Sequence, residues 1–143
     1  MTNWEFKHSV YTRAKRKTAW DFLTDMSNQL RMEPGIEDIE LDGPFANGTN
    51  GRTIAKTHTQ EWQLSEVIEG QQFTITGQTP EQELSLSFSW EFEDEGAGTR
   101  LTQTIKGSAA DISAYQEIFH GMEENAPKQM ARLVEELDQP DTI

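Results

Sequence analysis

Three polar residues stand where strand alternation otherwise places apolar ones. His8 lies between Phe6 and Val10, Gln103 between Leu101 and Ile105, and Glu66 between Leu64 and Ile68. Residues i and i+2 of a strand share a face, so each of the three shares one with large apolar neighbours. A buried polar group without a partner costs about 1–3 kcal/mol. Such a residue is therefore hydrogen-bonded within the protein, wetted at a strand end, or turned toward a ligand. The last case offers two kinds of chemistry: orienting a ligand's polar end, or moving a proton. His8 is the best catalytic candidate, because it alone of the histidines alternates with large apolar residues.

Other chemistries find no support in the residue pattern. His8, His58 and His120 have no close spacing such as His-x-His, so no metal and no cofactor are expected. No Gly-x-Ser-x-Gly elbow is present for a serine triad. The loop at 47–51 is rich in Asn and Gly, but no helix opening with Lys-Ser or Lys-Thr follows it, so it is no phosphate loop. The chain has no cysteine, which excludes disulfides and thiol nucleophiles. Its net charge of −13 repels nucleic-acid backbones and disfavours anionic membranes. Arg13, Lys15, Arg16 and Lys17 form one basic corner at an expected helix N-terminus, where cations oppose the helix dipole. It is either an anion site or a solvated corner neutralised by nearby carboxylates. No apolar run approaches the ~18 residues of a membrane span, and residues 1–8 lack the pattern of a signal peptide. A soluble, cytoplasmic protein of one domain, residues 1–143, is expected.

The elements that would position these residues follow from periodicity. Residues 84–92 alternate Leu84, Leu86, Phe88, Trp90 and Phe92 with serines and a glutamate, which gives a strand with one apolar face. Trp4, Phe6, His8 and Val10 mark a first strand over about 3–12. Two short helices follow, at 15–24 and 26–32, with Asp25 or Ser27 as cap for the second. Strands are expected at 36–41, 52–59 and 61–68, with Trp62, Leu64 and Ile68 sharing a face. A further strand carries Phe73 and Ile75, a loop covers 77–83, and a last strand covers 100–106. Gly107-Ser108 then marks the change to a helical period. Ile112, Tyr115, Ile118, Phe119, Met122, Ala126, Met130, Leu133, Val134 and Leu137 form one stripe, predicting a long helix over 112–138. Gly121 and Pro127 make a soft zone in it, which either bends the helix or lets its first part swing. Strands joined by short turns pair antiparallel. The fold class is thus α+β, with an antiparallel sheet of six to seven strands packed on the long helix.

Three segments resemble one superfamily. The run from Val10 to Asp25 (VYTRAKRKTAWDFLTD) resembles the strand-to-helix corner of the START and birch-pollen-allergen proteins. The run from Met32 to Leu41 (MEPGIEDIEL) is similar to their next corner, and Gly98 to Thr102 (GTRLT) to the hairpin opening their last strand. The nearer likeness is to the polyketide cyclase/dehydrase-like branch, although Lys15 and Arg16 stand where that family usually carries prolines. The resemblance implies a helix-grip fold, in which a curved sheet wraps the long helix and leaves a cavity. It carries over no catalytic residue, since the family shares none. A small hydrophobic ligand, lipid- or polyketide-like, is the expected partner. Its wall is expected from His8, Trp62, Phe73, Leu86, Phe88, Trp90 and Gln103 on the sheet and Tyr115, Phe119 and Met122 on the helix, with the short helices framing the mouth. Two alternatives stand beside binding. One is a cyclase- or dehydratase-type enzyme using polar cavity residues. The other is a protein-interaction module resembling the Hsp90-ATPase-activator branch.

Overall fold

A computed structural model describes residues 3–32, 35–78 and 83–139. Seven strands form one fully antiparallel sheet: β1 (Asn3–Thr12), β2 (Ile36–Leu41), β3 (Asn50–Ala55), β4 (Thr59–Ile68), β5 (Gln72–Gln78), β6 (Leu84–Glu95) and β7 (Gly98–Ala109). Their order is β1-β7-β6-β5-β4-β3-β2, so the first strand closes against the last and the others follow the chain. Helices α1 (Arg16–Thr24) and α2 (Met26–Met32) link β1 to β2, and α3 (Gln116–Leu137) follows one 3-10 turn at Ile112–Tyr115. The curved sheet and the long helix make a helix-grip fold. No helix is long and apolar enough to cross a membrane among the described residues.

The helix lies along β1. At one end Trp4 stacks on Phe119 with ring centres 4.3 Å apart. At the other, the buried Thr12 hydroxyl donates to Asp138 Oδ1 at 2.6 Å. Three of the four residues of the basic corner beside that contact meet carboxylates: Arg13 and Arg16 lie 3.8 and 3.5 Å from Asp138 and Asp94, and Lys17 Nζ 2.7 Å from Asp21. The Asp21 hydrogen bond holds the Lys17 ammonium above its ordinary range. Asp25 caps α2, its Oδ1 accepting from the Ser27 backbone N–H and hydroxyl at 3.0 and 2.6 Å.

Several boundaries differ from the sequence reading. The strand expected at 52–59 ends at Ala55, because Ile54 already pairs with Thr59 across a turn that carries neither Gly nor Pro. Strand β6 runs on to Glu95, three residues past the expected 84–92. The Arg100 guanidinium meets the Glu95 carboxylate there, at 2.7 Å from Oε2, and Gly96 takes the positive φ of a two-residue turn. Gly107 does not end β7 but sits inside it. The long helix starts at Gln116 rather than 112, and it runs unbroken through Gly121 and Pro127. Strand β5 runs to Gln78, two residues into the loop expected at 77–83, of which residues 79–82 lie outside the described residues.

The sharpest difference is at Glu66. A bulge between Ser65 and Ile68 gives it a φ of 51°, in the left-handed region that is uncommon for side chains other than Gly, Asn and Asp. The extra residue reverses the alternation. Val67 packs on the core and Ile68 is left 47% exposed, although Ile68 was expected to share the face of Trp62 and Leu64.

Candidate functional site

The inner face of the sheet is organised in rows that cross the strands. One row reads Leu64, Ile75, Phe88, Ile105 and Phe6 through successive cross-strand pairs. The next reads Phe73, Trp90, Gln103 and His8. On the other side of the first lies a row of alternating glycine and bulk: Gly51, Trp62, Gly77, Leu86, Gly107 and Trp4. The glycines give the large neighbours room. A Cβ on Gly51 would collide with the Trp62 indole, so that ring lies across β3, with its Nε1 donating to Thr53 Oγ1 at 3.0 Å.

Between these rows and the helices lies a cavity of about 420 Å³. Its sheet wall is Trp62, Ile75, Gly77, Leu86, Phe88, Trp90 and Gln103. Phe22, Leu23, Met26, Asn28, Gln29 and Met32 from the short helices and Gln129, Met130 and Leu133 from α3 line the facing side, with Ile36, Ile39, Thr53, Gln60 and Gln78 around it, and the cavity is about half open to solvent. The cavity explains the burial of β6. Leu84 and Phe92 at its two apolar ends are 0% and 2% exposed, whereas Leu86, Phe88 and Trp90 between them are only half-buried, because they border empty space.

The structure thus brings Trp62, Leu86, Phe88, Trp90 and Gln103 into one wall. It sends the other expected residues elsewhere. Phe73 is fully buried beside the cavity, edge-on to Phe45 and Trp20 at 5.1 and 5.7 Å. Tyr115, Phe119 and Met122 belong to a second core with Leu84, Ile112 and Trp4 at the far end of α3. The helical stripe is split: Ile112, Tyr115, Phe119 and Met122 pack this second core, Ile118, expected in the stripe, is left 46% exposed, and Met130 and Leu133 face the cavity. His8 lies one row position beyond Gln103. Its Nε2 is buried and has no hydrogen-bond partner among the described residues. Glu66 is turned away by its bulge, its carboxylate accepting from Thr74 Oγ1 at 3.1 Å.

The sequence reading missed the roof side chains. Met26 and Met32 carried a usable signal, since flexible thioethers suit irregular surfaces that adapt to a ligand. Ile36 and Ile39 carried none, because a short edge strand reads the same whether it borders a core or a cavity.

Gln103 is chemically distinct within the wall. It is 9% exposed, between the buried Leu101 and Ile105, and its side-chain amide has no hydrogen-bond partner among the described residues. Asn28 and Gln60, by contrast, donate to Phe22 O at 3.1 Å and Glu61 O at 2.9 Å. None of the described lining residues titrates: the polar ones are amides and a threonine. Among the described residues no group of three His, Asp or Glu side chains could hold a metal ion.

Residues 3–138 match the family described as polyketide cyclase/dehydrase and lipid transport. The chain belongs to that family. The known structures agree on the fold. An aromatase/cyclase di-domain, StfQ of the steffimycin biosynthetic pathway, superposes with a TM-score of 0.78 at 12% identity, over 96% of this chain and 51% of its own. Truncated norcoclaurine synthase from Thalictrum flavum gives 0.73 at 12% identity, covering 96% and 94%. Ara h 8.0201 gives 0.70 at 14% identity, covering 93% and 99%. No curated protein matches the sequence. At such identities the likeness is one of fold, and what this polyketide cyclase/dehydrase-family chain does must come from its own wall residues.

Proposed function

We propose that the protein binds a small, mainly apolar molecule, lipid- or polyketide-like, in the cavity between sheet and helices. The observation that carries this reading is the half-open cavity of about 420 Å³, walled by Trp62, Ile75, Leu86, Phe88 and Trp90. That size falls within the range of small-molecule pockets, and an apolar wall with few polar groups is their usual composition. The family's lipid-transport and cyclase members support the same class of ligand.

Binding is favoured over turnover by the chemistry of the wall. A cyclase or dehydratase needs a proton donor or acceptor within reach of the bound molecule. Among the described residues the wall offers neither, and His8 stands behind Gln103 rather than in the cavity. The partner-module alternative draws no support from the surface. Among the described residues the large exposed apolar ones, Tyr11, Ile68 and Ile118, sit singly on three different elements rather than in a patch.

The test is binding of the uncharged dye Nile red, followed by fluorescence. One dye per chain is expected. Leu86→Trp from the sheet wall and Met26→Trp from the roof should each weaken binding at least about tenfold by filling the space. Ile118→Trp, on the exposed side of α3, should leave it unchanged. Binding that ignores both wall variants, in folded proteins, would refute the assignment.

A further inference from the structure

Resting on that reading, we infer that the cavity selects an uncharged molecule carrying a hydroxyl or carbonyl oxygen at its deep end. It rejects carboxylates and amines of the same shape. The chain has 12 basic and 25 acidic residues among 143, yet the described lining residues include none of them. Its polar side chains are instead six amides, Asn28, Gln29, Gln60, Gln78, Gln103 and Gln129, together with the Thr53 hydroxyl.

Gln103 marks the deep end. It is nine-tenths buried and lines the cavity, held in register between Trp90 and His8, with no protein group among the described residues hydrogen-bonded to its amide. Its amide atoms are not among the fully buried unpaired ones, so they open into the cavity, where a ligand's oxygen can take the place of water. An amide both donates and accepts, so it satisfies a hydroxyl or a carbonyl equally. It cannot neutralise a charge. A carboxylate entering this wall would lose its water with no lysine, arginine or histidine to meet it, in a chain whose net charge of −13 already repels it. An ammonium group would be drawn to the acidic surface but would find no carboxylate among the described lining residues. Both ions are therefore excluded by desolvation rather than by shape.

The experiment uses four probes on one ring system: pyrene carrying methyl, hydroxymethyl, carboxylate or aminomethyl at position 1. Each competes against Nile red at pH 7.5. The hydroxymethyl compound should bind most tightly, about tenfold better than the methyl one. The carboxylate and the ammonium should bind at least about 100-fold more weakly than the hydroxymethyl compound. Gln103→Leu, which keeps the volume and removes the amide, should still bind the methyl compound and lose the preference for the hydroxyl. Gln103→Met serves as a second variant of the same kind. Carboxylate or ammonium binding within tenfold of the alcohol would overturn the inference while leaving the binding reading intact. An unchanged hydroxyl preference in both Gln103 variants would do the same. No binding of any uncharged pyrene to the folded protein would overturn the binding reading, and this inference with it.

Discussion

Gly107 tests the architecture that separates the cavity from the second core. Its neighbours in the row are Leu86 and Trp4, and the Phe119 ring of α3 lies over it. A Cβ there would stand 2.7 and 2.9 Å from Phe119 Cε1 and Cζ and 3.6 Å from Leu86. Carbon atoms rest at about 3.5–4.0 Å, so Gly107→Ala asks the ring to withdraw by about 1 Å. It cannot do so freely, since Trp4 is stacked on it at 4.3 Å. Overpacking of this kind costs about 1–3 kcal/mol. The reduced freedom of the unfolded chain returns about 0.4–1 kcal/mol, since Gly107 has no positive φ to forbid alanine. A net loss of about 1–2 kcal/mol is expected, a fall in Tm of roughly 3–8 °C for a chain of this size. Urea unfolding of Gly107→Ala, Phe119→Leu and the double variant measures it. The smaller leucine side chain of Phe119→Leu should recover most of the loss, with a coupling of about 1 kcal/mol or more. Nile red binding should hardly change, because neither residue lines the cavity. A neutral or stabilised Gly107→Ala, or two additive losses, would refute the packing argument. A large change in dye binding would refute the separation of the two sites.

Three further outcomes follow from the same contacts. His8→Leu removes a buried Nε2 that has no partner among the described residues, so the urea midpoint should rise by the equivalent of about 1 kcal/mol, and a fall would reveal a partner on that nitrogen. The Ser27 hydroxyl, then its backbone N–H, hold the Asp25 carboxyl below the usual aspartate range. Its contribution is thus present above the unfolded value of about 3.9 and lost as pH falls through the lower folded value. Ser27→Ala should cost up to about 0.5 kcal/mol at pH 7 and less at pH 2, since the pair is exposed, and a pH-independent loss would contradict this. Amide exchange should be faster over residues 112–126 than over 130–137, with Gly121 and Pro127 loosening the helix. Uniform protection would show that they only shape it.

Local periodicity was enough for the elements. The alternation through Leu84 and Phe92, the helical stripe ending at Leu137 and the bounds of β1, β2 and α2 were all legible, because residues i and i+2 or i and i+4 meet only within an element. The excluded chemistries were legible too, since a missing cysteine or glycine elbow needs no coordinates. Register was not legible. That Trp62 would lie over Gly51, that Gln103 would stand between Trp90 and His8, and that Gly107 would make room for Phe119 rather than end a strand all depend on pairing between strands far apart in the chain. The bulge at Glu66 likewise turned Val67 rather than Ile68 to the core, a choice that two adjacent apolar residues leave open in the sequence. The cavity was the most hidden feature. A side chain facing empty space and one facing a packed core have the same apolar character, so Phe88 and Phe92 read alike in sequence. Only the curvature of the sheet away from the helices, a property of all seven strands together, decided that one borders the cavity and the other fills the core.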